Sequence, residues 1–156
     1  MDWGNTNPEL GIEYFPRQAE AEKAGNVARH QSWRTVYNAM VMCLFANVAP
    51  QMQVDLINAA CGYHWTLDDM MLCGERGWNM KRALNNRLGL TAANDRLPKA
   101  LLEPLPTGGS EGFTPDIQGM LYAYYEARGW DEYTGYPTRA KLLELGLDDV
   151  ARDLWG

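Results

Sequence analysis

Residues 66–89 read TLDDMMLCGERGWNMKRALNNRLG, and this stretch decides the fold. Thr66 stands three residues before Asp69, the spacing at which two side chains cap the free backbone N–H groups of a helix start. Apolar residues then recur at helical spacing as far as Leu88, and Gly89 is typical of a helix end. The pattern predicts one long helix that other elements can pack against.

Two glycines, Gly74 and Gly77, lie inside this predicted helix. Each costs up to ~1 kcal/mol relative to alanine in a helix interior. We therefore expect a packing reason for them, such as the close approach of another backbone.

The flanking sequence predicts further helices and no strand. Thr114 is expected to cap one of them, with Pro115 at its first helical position. No segment alternates apolar and polar residues over more than a few positions, so the sequence predicts an all-α fold, a compact bundle of five or six helices. The other predicted helical segments are residues 17–24, 27–45, 50–62, 136–146 and 148–154, with Gly25 and Asn26 as an interruption between the first two.

Breaker residues divide the chain into an arm, a helical domain and a long connection. Glycine and proline are dense in residues 1–16, which predicts an irregular N-terminal arm and not a packed element. Residues 17–156 form the predicted helical domain. Within it, residues 91–112 are a Pro/Gly-rich connection of a length that often lies over a partner surface.

Composition excludes several classes of function. The 156 residues carry a net charge of −6, from 14 Lys and Arg against 20 Asp and Glu, which does not fit nucleic-acid binding. The longest apolar run, residues 39–46, is too short to cross a membrane, and the N-terminus lacks a signal-peptide pattern. Three cysteines favour reduced thiols and a cytoplasmic location. The six Trp, eight Tyr and eight Met predict either a core of large side chains or a surface that packs against another protein.

The residues alone predict no catalytic site. Three cysteines and two histidines cannot hold a [4Fe–4S] cluster, which takes four thiolates. Cys61-x-x-His64 is at most half a zinc site, and we expect Cys61 and Cys73 to be small buried side chains. Glu75-Arg76 and Arg82 are interpreted as part of a solvated helix face.

Five spaced blocks nevertheless resemble the C-terminal region of the tungsten-containing aldehyde:ferredoxin oxidoreductases, in the same order. The resemblance covers residues 20–156. The blocks are Gly74-Glu75-Arg76 with Asn79-Met80-Lys81-Arg82-Ala83-Leu84-Asn85 and Gly89, then Asn94-Asp95-Arg96-Leu97-Pro98, Tyr124-Tyr125 with Arg128-Gly129-Trp130-Asp131, Gly135-x-Pro137-Thr138, and Leu142-x-x-Leu145-Gly146-Leu147.

The resemblance implies a metal ligand and a cofactor contact. Residues 38–45 match the segment D-x-x-G-x-C in which the family's last domain supplies the fourth ligand of a [4Fe–4S] cluster and approaches a pterin. Cys43 falls at the ligand position and Asn38 at the pterin-contacting Asp, whereas Val41 replaces the usual Gly. The resemblance places no catalytic residue in this chain.

The implied parent enzyme oxidises an aldehyde to a carboxylic acid. It holds tungsten or molybdenum in two pterins beside one [4Fe–4S] cluster, and passes electrons to ferredoxin or a similar acceptor. We expect the chain alone to hold no cofactor and to self-associate, with the remaining domains as its partners. Two alternatives stay open: a helical scaffold that has lost this chemistry, and a subunit that completes a split enzyme.

Overall fold

The computed structural model describes residues 6–156, and its fold is all-α, as predicted. In this range the strand-like pairings are isolated bridges, and none of the helices is both long and apolar enough to cross a membrane. The six α-helices are α1 (Ala24–Ala39), α2 (Pro50–Cys61), α3 (Leu67–Arg87), α4 (Ile117–Arg128), α5 (Arg139–Glu144) and α6 (Asp148–Trp155).

The long helix predicted from residues 66–89 is α3, and it packs against α1, α2 and α6. Its predicted cap is present: Thr66 Oγ1 accepts from the Asp69 backbone N–H at 3.3 Å, and the Asp69 carboxylate accepts from the Thr66 N–H at 2.8 Å. The Thr66 N–H and the Thr66 hydroxyl, which also donates to the carboxylate, hold the pKa of Asp69 below its usual value. The sequence therefore predicts the start of α3 correctly.

The glycines of α3 face α1, which confirms the expected packing reason. A Cβ at Gly74 would collide with the backbone carbonyl of Ser32, and one at Gly77 would come within 2.9 Å of Thr35 Cγ2. The two helix backbones thus approach too closely for any side chain at Gly74. The loss in helix propensity is offset by tighter packing of α1 on α3.

The prediction for the first helix is wrong at both ends. Residues 17–23 contain only a short 3-10 turn, and α1 runs from Ala24 to Ala39 without interruption, not to Phe45. Asn26 is buried inside α1, where its side-chain amide accepts from the Glu13 N–H at 2.7 Å and donates to the Glu13 carbonyl at 3.1 Å. These long-range hydrogen bonds compensate for the low helix propensity of Asn.

The described part of the arm, residues 6–16, is irregular, but it is packed against the helices. The prediction that the arm is not a packed element is therefore wrong for these residues. The only helical element of the arm in this range is a 3-10 turn at Pro8–Leu10. Leu10 and Ile12 are buried, and they pack in the core with Trp33 and Tyr37 of α1. The breakers set the backbone shape of the arm, while its two aliphatic side chains fill the core.

The predicted cap of α4 is also wrong. α4 begins at Ile117, and Asp116 is its cap, because the Asp116 carboxylate accepts from the Gly119 N–H at 3.1 Å. Thr114 and Pro115 lie before the helix. The sequence offers two favourable ways to begin the helix, with Pro115 at the first helical position or with Asp116 as the cap. In the structure Asp116 is the cap, and α4 begins one residue after it.

Candidate functional site

The C-terminal end of α1 and the loop after it carry the two residues to which the resemblance assigns a function. Asn38 is exposed in the last turn of α1. Cys43 is exposed four residues after the helix ends, directly before the 3-10 turn Leu44–Ala46. The site therefore comprises the last turn of α1 and the surface loop that follows it.

The backbone of this turn is a Schellman motif, a helix end closed by two hydrogen bonds. The Val41 N–H donates to the Asn38 carbonyl at 3.0 Å, and the Met42 N–H donates to the Tyr37 carbonyl at 3.3 Å. Val41 adopts φ of 56°, in the left-handed region that normally requires Gly. The turn therefore has the conformation of a Gly-containing motif, although residue 41 is Val.

The loop that carries Cys43 is held from beneath by buried side chains. The Tyr37 hydroxyl, which is fully buried, accepts from the Val48 N–H at 3.2 Å. Gln53 donates to the Val48 carbonyl at 2.8 Å and accepts from Trp33 Nε1 at 3.1 Å. Cys43 thus lies on a loop whose two ends are fixed to the core.

One cysteine cannot make a metal site by itself. Across residues 6–156, no three His, Cys, Asp or Glu side chains are grouped so that they could hold a metal ion. A [4Fe–4S] cluster needs four thiolates, so Cys43 fits such a group only if another polypeptide surface supplies the others. A cluster that is shared between two polypeptide surfaces needs exposed ligands, and Cys43 is exposed.

The other two cysteines are not the buried side chains that we predicted. Cys61 is exposed at the end of α2, and Cys73 is exposed on α3. The prediction failed because the partner helices cover other faces of α2 and α3. His64, which would form half a zinc site with Cys61, is exposed as well.

Arg82 is not on a solvated face, as we had predicted, but at the centre of a polar cluster. It donates to both carboxylate oxygens of Asp95, at 3.0 and 2.5 Å, and to the Gly135 carbonyl at 2.7 Å. The hydroxyl of Tyr125 donates to the same carboxylate. This cluster fastens the start of the long connection to α3, to α4 and to the loop before α5.

The cluster shifts the titration of its acidic members. Burial alone would raise the pKa of Asp95, but hydrogen bonds from Arg82 and Tyr125 outweigh burial and hold that pKa below its usual value. Burial, together with the Asp95 carboxylate, raises the pKa of Tyr125 to about 12. At neutral pH the carboxylate is therefore ionised and the phenol protonated, which is the state that the hydrogen bonds require.

Glu75 and Arg76 also make tertiary contacts, which the solvated-face interpretation did not predict. Arg76 Nε donates to the Leu145 carbonyl at 2.5 Å. Glu75 pairs with Lys141 of α5 at 2.8 Å. Both side chains thus tie α3 to the segment around α5.

Arg128 forms a second buried hub, and reasoning from the residues alone had missed it. It is almost fully buried, and it donates to Ser32 Oγ at 2.9 Å, to the Ala28 carbonyl at 2.8 Å and to Gln31 Oε1 at 2.8 Å. Its Nε donates to the Tyr124 hydroxyl at 3.1 Å. Burial lowers the pKa of Arg128, so these neutral acceptors must stabilise the guanidinium.

The blocks of the resemblance therefore converge in space as tertiary anchors. Arg82, Asp95, Tyr125 and Gly135 meet in one cluster, and Arg128 joins α4 to α1. The ordered spacing of those blocks was the one signal in the sequence that could have identified them. These residues hold the helices together, and within residues 6–156 the candidate ligands that the resemblance names are Asn38 and Cys43, at the end of α1 and in the loop after it.

Comparisons with known proteins identify the family to which the chain is similar. The family model for aldehyde ferredoxin oxidoreductase, domains 2 and 3, matches residues 5–147. The tungsten-containing aldehyde ferredoxin oxidoreductase of Pyrococcus horikoshii is 37% identical over 150 residues, which cover 92% of this chain and 24% of that protein. The proteins of the same name from Pyrococcus furiosus and Thermococcus kodakarensis are each 36% identical over 148 residues, 90% of this chain and 24% of theirs. The chain spans about a quarter of the length of these relatives.

Proposed function

The chain belongs to the aldehyde ferredoxin oxidoreductase family, and on that premise we propose that its Cys43 supplies one ligand of a [4Fe–4S] cluster in a pterin-containing oxidoreductase. The observation that carries this proposal is the position of Cys43, exposed on a turn that is fastened to the core. A thiolate on such a turn can bind iron without the loop having to reorganise.

Asn38 is proposed to contact the pterin. Its side chain is exposed in the last turn of α1, and the hydrogen bond from the Val41 N–H to its own carbonyl fixes its backbone. A side-chain amide offers two donors and one acceptor, which suits the hydrogen-bonding edge of a pterin. Because Asn is neutral where the family pattern has Asp, this contact would add no charge.

The cofactors supply the chemistry, and this chain holds part of their pocket. When bound, the tungsten or molybdenum bis-pterin oxidises an aldehyde to a carboxylic acid and sends the electrons through the cluster to ferredoxin or a similar acceptor. In this proposal the chain contributes Cys43 and Asn38 and no catalytic side chain. Its partners are the remaining domains of the enzyme and the electron acceptor.

Metal analysis tests the proposal. In the full-length protein purified without oxygen, Cys43→Ser should lose cluster iron and sulfide, whereas Cys73→Ser, which changes another exposed thiol, should keep both. Asn38→Leu should lower pterin content with the fold unchanged. Full iron content in Cys43→Ser would refute ligation, and an iron-free wild-type protein would favour the scaffold alternative.

A further inference from the structure

The C-terminal half of α3 carries a row of exposed aliphatic side chains. Met80 and Leu84 in the helix and Leu88 directly after it follow one another at intervals of four residues, so they lie along one side of α3. Their exposed fractions are 49%, 58% and 74%. Single exposed aliphatic side chains are common on protein surfaces, but a continuous row of them indicates a contact surface. We call these three residues the α3 ridge.

An apolar groove lies beside the α3 ridge, between α3 and α6. Met80 and Leu84 line it on the α3 side, and Val150 and Leu154, which are four residues apart, line it on the α6 side. Ala83, which is small and buried, also lines it. The groove has a volume of about 290 Å³. Since an apolar cavity of ~150 Å³ holds a group of benzene size, this groove has room for aliphatic side chains.

The charged residues around the groove are balanced in sign. Arg87 pairs with Asp153, and Arg152 pairs with Asp149. The chain as a whole has a net charge of −6, so two copies repel each other least where both signs are present. A rim of one sign would indicate a partner of the opposite charge. A rim of both signs suits a second copy, because each arginine can then face a carboxylate of the other chain.

The ridge and the groove are neighbours on one face, which makes that face complementary to itself. A two-fold rotation about an axis through the face places the α3 ridge of each copy over the groove of the other. The two α3 helices are then antiparallel, with Leu84 near the axis and Met80 of one copy opposite Leu88 of the other. Two-fold contacts of one patch with itself are the commonest in homo-oligomers, and helix surfaces normally pack ridge into groove.

We propose that the α3 ridge and the groove beside it form the docking surface for a second copy of this chain, related by a two-fold axis. The sequence predicts self-association, and this proposal assigns a surface to it. The proposal does not depend on Cys43 or on any cofactor. The face uses fewer residues than the ~20–30 on each side of a standard interface, so we expect a dissociation constant in the micromolar range.

Analytical ultracentrifugation of the whole chain tests the proposal with a matched control. The weight-average mass should rise with concentration, from the 17.6 kDa of one chain toward twice that value. Leu84→Glu should weaken self-association by about tenfold or more, since the dimer would bury a carboxylate without a partner. Met52→Glu, on α2 at a site of similar exposure, 56% against 58%, should change it by less than about twofold. Circular dichroism shows whether both variants fold.

Mixing two charged variants tests the two-fold symmetry. Leu84→Lys should weaken self-association as Leu84→Glu does, because two like charges then meet near the axis. An equimolar mixture of the two variants places a carboxylate opposite an ammonium group. The mixture should therefore associate about tenfold or more tightly than either variant alone.

Each opposite result would overturn the proposal. A wild-type chain that stays monomeric at high micromolar concentration has no such docking surface for its own copy. A folded Leu84→Glu variant that associates like the wild type, or a Met52→Glu variant that is weakened as much, places the contact on another face. A mixture no tighter than its components excludes the two-fold arrangement around Leu84.

Discussion

Replacing Val41 by Gly should stabilise the protein, although it removes a side chain. Val41 lies at φ of 56°, where its Cβ crowds the backbone, and a β-branched residue is a clear outlier there. The Schellman hydrogen bonds at residues 41 and 42 hold it in that conformation. Because Val41 is 91% exposed, its truncation sacrifices little buried surface.

The net gain in the free energy of unfolding is the difference between two opposing effects. A non-Gly residue in the left-handed region costs ~1–2 kcal/mol. Gly relieves this strain, but it also adds conformational entropy to the unfolded chain. The added entropy destabilises the folded state by ~0.4–1 kcal/mol. The difference between these ranges is about 0–1.6 kcal/mol. At its centre the free energy of unfolding rises by ~0.8 kcal/mol, which for a domain of this size raises Tm by ~2–3 °C.

Thermal and urea unfolding of three variants tests this reasoning. Val41→Gly should be more stable than the wild type, while Val41→Ala, which keeps a Cβ, should change little. Ala39→Gly is the matched control, because residue 39 is exposed and helical, and Gly there should lose up to ~1 kcal/mol. If Val41→Gly lowers Tm as Ala39→Gly does, residue 41 is not left-handed in solution and the account of the turn fails.

Two further predictions concern packing and pH. Gly74→Ala should lower the free energy of unfolding by ~1–3 kcal/mol or prevent folding, because its Cβ meets the α1 backbone; Gly25→Ala, with open space around it, should be neutral or stabilising in the same urea titration. Asp95 has a folded-state pKa below the unfolded value, so its stabilisation is complete above about pH 4 and is lost as pH falls through the folded pKa. Urea unfolding from pH 5 to 2 should therefore show a flatter profile for Asp95→Asn, and an unchanged slope would contradict the role of the Arg82–Asp95 pair.

Local signals predicted the elements that depend on local chemistry. The cap at Thr66 involves Asp69, three residues on, and it was confirmed. Gly74 is a local anomaly within its own helix, and the close approach that it indicated was confirmed, although its partner, Ser32, lies on α1. The all-α class followed from periodicity over the whole chain. The family resemblance followed from the order of short blocks, which is a property of sequence alone.

Long-range contacts explain what sequence reasoning missed. Asn26 remains helical because of Glu13, and Arg82 is held by Asp95 and Gly135, so no local pattern could assign them. The end of α1 was misplaced because Val41 does not look like a helix terminator. Its left-handed backbone shows that the helix end forms a Schellman motif with Val at the position that normally takes Gly.

The most direct test of the central claim is to observe the bond between iron and residue 43. In the full-length protein, Cys43 would be replaced by selenocysteine and the selenium absorption edge recorded on anaerobic samples, with Cys73 replaced in a control. The account predicts iron as a direct neighbour of selenium at position 43 and not at position 73. A selenium at position 43 with only carbon around it, in a protein with a full cluster, would contradict the account.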